Sequence, residues 1–265
     1  MDMQLTGKRA IIAGGSRGIG RAIARALIDE GVRVAIGARD RDAVQAAAAA
    51  LAADGGEAHG FAVDTRDDGS VDSFVRAAAD ALGGLDIVVN AAAQPASAGP
   101  TAGLGGVTSD YALDQLDTKI LGYLRVARAA APLLIANGWG RIINISGLNA
   151  RMSSNIVGAI RNVGVAALTK TLADELGPHG INVTVVHPGY TRTERTAAVV
   201  AERAAAEGTS EAEAEKALYG GSLIGRIVEA EEVAAVVAFL ASPRSVAITG
   251  DAIAAGGGMR GSIHY

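Results

Sequence analysis

The stretch Ala13–Gly20, Ala-Gly-Gly-Ser-Arg-Gly-Ile-Gly, stands between a short apolar run and a segment with helical periodicity. The apolar run Ala10–Ile12 predicts a buried strand, and Arg21–Glu30 repeats apolar residues at helical spacing. A glycine turn between a strand and a helix is typical of a dinucleotide site, because glycine lets the backbone approach a pyrophosphate and the helix N-terminus offers free N–H groups. A tight turn also needs glycine without any ligand, so the prediction of nucleotide binding depends on the flanking strand and helix.

Length and composition limit the class of protein. The chain has 265 residues, enough for one domain with a sizeable core, and it is 49% hydrophobic but only 3% aromatic. The absence of cysteine excludes disulfides and thiolate chemistry, and the four histidines show no metal-ligand spacing. A net charge of −4 does not favour nucleic-acid binding, and neither a leader pattern nor a long uncharged apolar run is seen. We therefore expect a cytoplasmic protein that acts on a small molecule, without metal, nucleic-acid or membrane partners.

Apolar runs and helical periodicity alternate along the rest of the chain. Strands are predicted at 32–36, 58–63, 85–90, 141–145, 181–187 and 252–254, and helices at 43–53, 71–82, 110–137, 156–176 and 229–240. This alternation indicates an α/β fold: a doubly wound parallel sheet of Rossmann type, sandwiched by helices, in a single domain over residues 1–265. Residues 193–225 interrupt the pattern and predict a mobile substrate loop, in which Ser210 and Glu213 form a capping box.

The end of the second predicted strand decides between the two nicotinamide cofactors. An acid there accepts from the adenosine 2′-hydroxyl and repels a 2′-phosphate. This chain has Arg39 at the strand end and Arg17 in the glycine loop, and two guanidiniums suit a phosphate. Asp40 is assigned to the cap of the following helix. The sequence therefore favours NADP over NAD, and the predicted contacts in this region are Gly14, Ser16, Arg17, Gly18, Ile19, Gly20 and Arg39.

Later motifs resemble those of the short-chain dehydrogenase/reductase family in type and order. They are Asn90-Ala91-Ala92-Ala93, Asp174-Glu175-Leu176, Gly180–Val183, Pro188–Thr193 and Gly225-Arg226-Ile227. With the glycine spacing, the resemblance covers nearly the whole chain. It implies an oxidoreductase, and it adds these cofactor contacts: Asp64, Thr65, Asn90, Ala91, Asn162, Pro188, Gly189 and Thr193. It also implies a homotetramer assembled through the helices 110–137 and 156–176 and the last strand.

The catalytic pair of that family is missing from this chain. The family uses Tyr-x-x-x-Lys on the helix after the fifth strand, where the tyrosine is the general acid/base and the lysine lowers its pKa. Gly158 and Asn162 stand at these positions. No tyrosine lies between Tyr123 and Tyr190, so a shifted register does not restore the pair.

The other two family residues are also replaced. The family serine aligns with Gly147, beside Ser146, and the family asparagine aligns with Lys119. Lysine and asparagine have thus exchanged places, with Lys119 on one helix and Asn162 on the other. Lys119, Ser146 and Tyr190 are the candidate catalytic residues, although Lys119 fits a solvated helix face equally well and serine alone has little basicity.

Two classes of function stay open. The first is an NADP(H)-dependent oxidoreductase with an atypical site, moving hydride to or from a small carbonyl, alcohol or activated alkene. The second is a non-catalytic nucleotide-binding member that acts as a sensor or partner subunit. Alkene reduction needs less help from a phenol than carbonyl reduction, so we expect little turnover of simple ketones and secondary alcohols.

Overall fold

The predicted strands join a parallel sheet in the computed structural model, which describes residues 2–53, 55–93, 103–153, 155–258 and 260. In chain order the strands are β1 (Arg9–Ala13), β2 (Arg33–Ala38), β3 (Ala58–Ala62), β4 (Ile87–Asn90), β5 (Gly140–Ile145), β6 (Ile181–Pro188), β7 (Thr191–Arg192), β8 (Val228–Glu229) and β9 (Ala252–Ala255). The short strands β7 and β8 pair only with each other among the described residues.

Strand order places a crevice beside the glycine turn. Within the described residues, the main sheet has the order β3-β2-β1-β4-β5-β6-β9, with parallel pairing throughout. The chain starts at the centre of the sheet, builds toward one edge and then returns to build toward the other. Such a reversal leaves a crevice at the carboxyl ends of the two central strands, which are β1 and β4.

Helices cover both faces of the sheet. They are α1 (Gly18–Asp29), α2 (Arg41–Ala52), α3 (Asp68–Leu82), α4 (Ser109–Leu116), α5 (Gly122–Asn137), α6 (Ile156–Leu176), α7 (Thr196–Glu207), α8 (Glu211–Tyr219) and α9 (Ala230–Ala241). Short 3-10 turns lie at Leu104–Gly106, Leu148–Ala150, Gly177–His179 and Pro243–Ser245. Helices α1, α2 and α9 share one apolar cluster, and α3, α5 and α6 share another. The doubly wound α/β fold predicted from the sequence is therefore confirmed.

The core is aliphatic, as the composition requires. Ile12 and Ile143 belong to the cluster on one face of the sheet, and their neighbours Ile11 and Ile142 belong to the cluster on the other. All four are fully buried, and burial of each such side chain contributes about 1.5–3 kcal/mol. Two packed layers thus fix the strands and leave their carboxyl ends free for a site.

The long helix predicted at 110–137 contains a change of pitch. A π-helical turn, Asp117–Leu121, joins α4 to α5. Thr118 and Lys119 within this turn are both buried. A π-turn shifts the helical register by one residue and is frequent at functional sites. Apolar periodicity does not encode such a shift, so the sequence predicted a regular helix.

The segment 193–225 contains α7 and α8. The capping box predicted at Ser210 and Glu213 is confirmed at the start of α8. Arg192 anchors the segment, because its guanidinium donates to Glu215 at 2.6 Å and to Glu229 at 3.1 Å. The mobility of the segment remains a prediction.

Two helical stretches, Ser109–Asn137 and Ile156–His179, are long and apolar enough to cross a membrane by length and composition alone. Charged residues interrupt both stretches, for example Arg125 and Arg161, so neither is an uncharged run. Each stretch also buries side chains against the fold, for example Val126. Such burial is what a core helix shows.

Candidate functional site

A cleft of about 570 Å³ lies at the crevice between β1 and β4. The predicted site residues that line it are Gly14, Ser16, Arg17, Gly18, Ile19, Gly20, Arg39, Asp64, Thr65, Ala91, Lys119, Ser146, Tyr190 and Thr193. Four other predicted residues are not among the lining residues, namely Asn90, Asn162, Pro188 and Gly189. The fold therefore brings the glycine loop and the candidate catalytic residues into one cavity.

The glycine loop is too tightly packed for larger side chains. A Cβ on Gly14, where φ is +89°, would lie 2.5 Å from the Ala92 nitrogen. A Cβ on Gly20 would lie 2.1 Å from the Gly14 oxygen. Glycine at these two positions lets β1, the loop and the residues after β4 approach one another. The loop that these glycines allow lines the cleft.

The carboxylate of Glu194 lies at the N-terminus of α1. The Gly18 N–H donates to both carboxylate oxygens of Glu194, at 3.1 and 3.2 Å. Arg17, the N-cap residue, makes no side-chain hydrogen bond to the start of α1. The Gly18 N–H is therefore available to another acceptor. Glu194 thus marks an anion position at the helix N-terminus, where a phosphate group would be equally favoured. The residues of the loop therefore fit a pyrophosphate.

The wall beside β2 carries positive charge. Arg39 is exposed at the end of β2, and Arg17 is exposed in the glycine loop. Asp40 is the N-cap of α2, as predicted, because its side chain accepts from the Ala43 N–H at 3.0 Å. Asp40 also lines the cleft, but its Oδ1 is engaged in this cap, so Arg17 and Arg39 are the groups that suit this corner to a phosphate.

Asp64 has a partner that the sequence analysis did not identify. Its carboxylate accepts from the Arg66 side chain at 3.0 and 3.2 Å, and Arg66 also donates to Asp114. The hydrogen bond from Arg66 is the main reason why the pKa of Asp64 lies below its ordinary value. Asp64 is therefore an anion held by a neighbouring guanidinium at the rim of the cleft.

Lys119 points inward from the π-turn. It is 3% exposed, and its Nζ donates to the Ser146 carbonyl oxygen and to Asn162 Oδ1, each at 3.0 Å. Burial, reinforced by the positive charge of Arg161, holds the pKa of Lys119 well below its ordinary value. The reading of Lys119 as a solvated surface charge is therefore wrong, and the exchanged lysine and asparagine are in direct contact.

Ser146 and Asn162 accept the hydrogen bonds that hold the Lys119 amine in place. The Ser146 hydroxyl donates to the Asn162 carbonyl oxygen at 3.1 Å, which ties the end of β5 to α6. The proton of that hydroxyl is therefore engaged with the protein. At Gly158 the space is taken by the N-cap of α6, because Asn155 Oδ1 accepts from the Gly158 N–H and would lie 2.5 Å from an added Cβ.

Two tyrosines belong to the segments around Lys119. Tyr190 lines the cleft and is partly exposed, and burial of its ring raises its pKa above the ordinary value. Tyr123 is buried outside the cleft lining and donates to the Ile145 carbonyl oxygen at 2.9 Å. Burial also raises the pKa of Tyr123. A raised pKa makes each phenol harder to ionise, so neither tyrosine is activated as a base. The pKa of Lys119, in contrast, is lowered, which favours its neutral, basic form.

Asn90 and Asn162, two predicted residues that do not line the cleft, are both buried. Asn90 is buried at the end of β4, where its amide donates to Asn144 Oδ1 at 2.9 Å. Thr193, which does line the cleft, packs against Gly18. Its Cγ2 would lie 3.3 Å from a Cβ added to that glycine.

The sequence analysis missed Glu194, Arg66 and Thr118. Thr118 lines the cleft, and its buried hydroxyl has no hydrogen-bond partner among the described residues. The sequence signal that could have identified Thr118 is its position directly before Lys119, a candidate catalytic residue. The Glu194 and Arg66 contacts have no signal in local sequence, because each depends on how separate segments meet.

Comparisons with known proteins agree with this geometry. Residues 13–260 match a family model described as enoyl-(acyl carrier protein) reductase. The short-chain reductase protein NovJ of Streptomyces niveus is 32% identical over 259 residues, which cover 94% of this chain and 92% of that protein. The 3-oxoacyl-(acyl-carrier-protein) reductase FabG of Vibrio cholerae is 31% identical over 268 residues, covering 97% and 99%. The structure of L-sorbose reductase from Gluconobacter frateurii with NADPH and L-sorbose gives a TM-score of 0.92 at 28% identity, covering 99% of this chain and 100% of that one.

Proposed function

Because this chain belongs to the short-chain dehydrogenase/reductase family, we propose that it is an NADP(H)-dependent oxidoreductase in which Lys119 handles the substrate proton. Its substrate is a small molecule with a carbonyl, alcohol or activated alkene group. The observation that carries the proposal is that one cleft is lined both by the glycine loop and by the buried Lys119.

NADP is the cofactor, and the residues of the cleft fit it. The Gly18 N–H, which already holds a carboxylate, would hold the pyrophosphate, and Arg17 and Arg39 would hold the 2′-phosphate. L-sorbose reductase, which shares the fold along its whole length, was solved with NADPH. When bound, the nicotinamide supplies or accepts a hydride. We place the enzyme in the cytoplasm, where NADPH is available. A chain without cysteine needs no oxidising compartment to form disulfides.

Lys119 is placed to exchange a proton with substrate. The Ser146 carbonyl and Asn162 Oδ1 each take one of its N–H groups, which fixes the direction of the amine. The ammonium form has a third N–H for a substrate oxygen, and the neutral form has a lone pair that accepts a hydroxyl proton. Burial lowers the pKa of Lys119 from its ordinary value, which is the direction that a general acid or base working near neutral pH requires.

A non-catalytic nucleotide-binding protein is the second candidate. It is favoured by Gly158, which supplies no phenol, and by Glu194, which holds the anion position with the protein's own carboxylate. The two candidates differ in one measurable property. Turnover of NADPH with a panel of enones, aldehydes and ketones supports the enzyme, whereas tight NADPH binding with no turnover across that panel supports the sensor or partner subunit.

Replacing Glu194 with Gln should tighten NADPH binding about two- to thirtyfold, because a carboxylate at a helix N-terminus is worth roughly 0.3–2 kcal/mol and the cofactor must displace it. Fluorescence titration of NADPH measures the change. Glu202→Gln removes the same charge from an exposed position of α7 and should leave the affinity unchanged. Equal affinities for the two variants would show that Glu194 does not compete with the cofactor.

We also propose a homotetramer. Ile160 and Val163 on α6, and Leu113 on α4, are 55%, 50% and 63% exposed on the helices that the family resemblance assigns to subunit contacts. Strand β9 pairs only with β6 among the described residues, so its outer edge is open to a second copy.

Light scattering at micromolar concentration should give the mass of four chains. Ile160→Glu should reduce that mass, because a charge on the apolar face opposes its burial. Val246→Glu changes a side chain that is 66% exposed and belongs to none of those helices, and it should leave the assembly intact. A monomeric wild type would refute the proposed assembly.

A further inference from the structure

The chain contains four lysines, Lys8, Lys119, Lys170 and Lys216, and one of them differs from the others in its surroundings. Lys170 is 64% exposed at its side chain and forms an ion pair with Asp174. Lys8 lies over the ring of Trp139, at 3.9 Å from its centroid. Lys119 is buried and borders the cleft, and within the described residues no carboxylate forms an ion pair with it.

The contacts of Lys119 Nζ use its N–H groups and not its lone pair. Both recorded partners, the Ser146 carbonyl and Asn162 Oδ1, are acceptors only, so each takes an N–H from the nitrogen. A neutral amine has two N–H groups, and both are then engaged with the protein. The lone pair is left over, on a nitrogen whose residue lines the cavity of about 570 Å³.

The charge of the surroundings favours the neutral amine. The charged group that acts on Lys119 is Arg161, from the adjacent helix α6, and it opposes a second positive charge. Arg161 is itself buried, and its guanidinium donates to Gln115. This hydrogen bond keeps the positive charge in the interior, where it acts on Lys119. Burial acts in the same direction, and both lower the pKa of Lys119. A neutral amine is the nucleophilic form of lysine, and lysines activated in this way form Schiff bases with carbonyl compounds.

We infer that Lys119 is a covalent site for small aldehydes and ketones, which enter the cleft and form an imine with its Nζ. The nitrogen lone pair attacks the carbonyl carbon, and one amine proton passes to the oxygen to give a carbinolamine. The second amine proton leaves with that hydroxyl group as water, and a C=N bond remains. The reaction needs no cofactor, and it goes beyond the proposed hydride transfer because it uses the amine as a nucleophile.

Reductive trapping tests the inference. The full chain is incubated at neutral pH with acetaldehyde and sodium cyanoborohydride, without nucleotide, and peptide mass spectrometry quantifies the ethylation of each lysine. Lys119 should be modified about tenfold faster or more than Lys170 and Lys216, because each unit by which a pKa is lowered raises the neutral fraction about tenfold. The difference should shrink as the pH rises and the exposed lysines also lose their protons.

Two controls make the outcome decisive. NADPH titration of the same preparation tests the proposed function separately, so failure of one does not hide the other. Lys119→Arg should lose the fast-labelling position while Lys170 and Lys216 keep their rates, and circular dichroism checks that the variant is folded. Equal labelling of the lysines, or an unlabelled Lys119, would overturn the inference.

Discussion

Replacing Lys119 with Met is expected to reduce hydride transfer about a hundred- to ten-thousand-fold, which is the usual contribution of a general acid or base. The methionine has a similar length but cannot donate or accept a proton. NADPH affinity should be nearly unchanged, because the anion position at Gly18 and the two arginines are separate from the amine. Steady-state kinetics and fluorescence titration of the same variant measure the two effects.

Lys170→Met is the matched control, since it removes an exposed lysine from α6 and should leave the rate unchanged. The pH dependence of the wild type adds a second check. Reduction consumes a proton, so its rate should fall as the pH rises through the lowered pKa of Lys119, whereas alcohol oxidation should rise. Robust ketone reduction that survives Lys119→Met would point to a different acid.

Replacing Arg39 with Asp is expected to invert the preference between the two nicotinamide cofactors. The wild type should bind NADPH at least about tenfold more tightly than NADH, a difference of about 1.4 kcal/mol. The substitution removes a cation from the end of β2 and adds a carboxylate that repels the 2′-phosphate and accepts from a 2′-hydroxyl. Titration with both nucleotides measures the order.

Arg41→Asp makes the same change of charge two residues away, at a position that does not line the cleft, and should leave NADPH preferred. Equal affinities of the wild type for NADPH and NADH would contradict the assignment of Arg17 and Arg39 to the 2′-phosphate.

The regular parts of the fold could be read from the sequence. Helix α6 was predicted at Ile156–Leu176 and has those bounds, because it begins at a capping asparagine, Asn155, and ends at a glycine. Asp40 was assigned to the cap of α2 and occupies it. Such features depend on residues within one turn of each other, so they are visible in local sequence.

The features that depend on distant contacts could not be predicted in this way. The π-turn at Asp117–Leu121 is a one-residue shift that apolar spacing does not record. Glu194 reaches Gly18 across 176 positions of the chain, and only the packed fold brings them together. Lys119 lies in this π-turn and is buried, whereas the sequence alone allowed it to be a surface charge.

Transfer of deuterium from NADPH labelled at the reactive nicotinamide carbon tests the central claim most directly. The experiment is a single turnover with excess wild-type protein and a panel of enones and aldehydes, with products analysed by mass spectrometry. We predict deuterium on carbon in at least one product with the wild type, and about a hundredfold or more slower transfer with Lys119→Met at equal NADPH occupancy. Bound NADPH that transfers no deuterium to any member of the panel would contradict the account and identify the protein as a non-catalytic nucleotide binder.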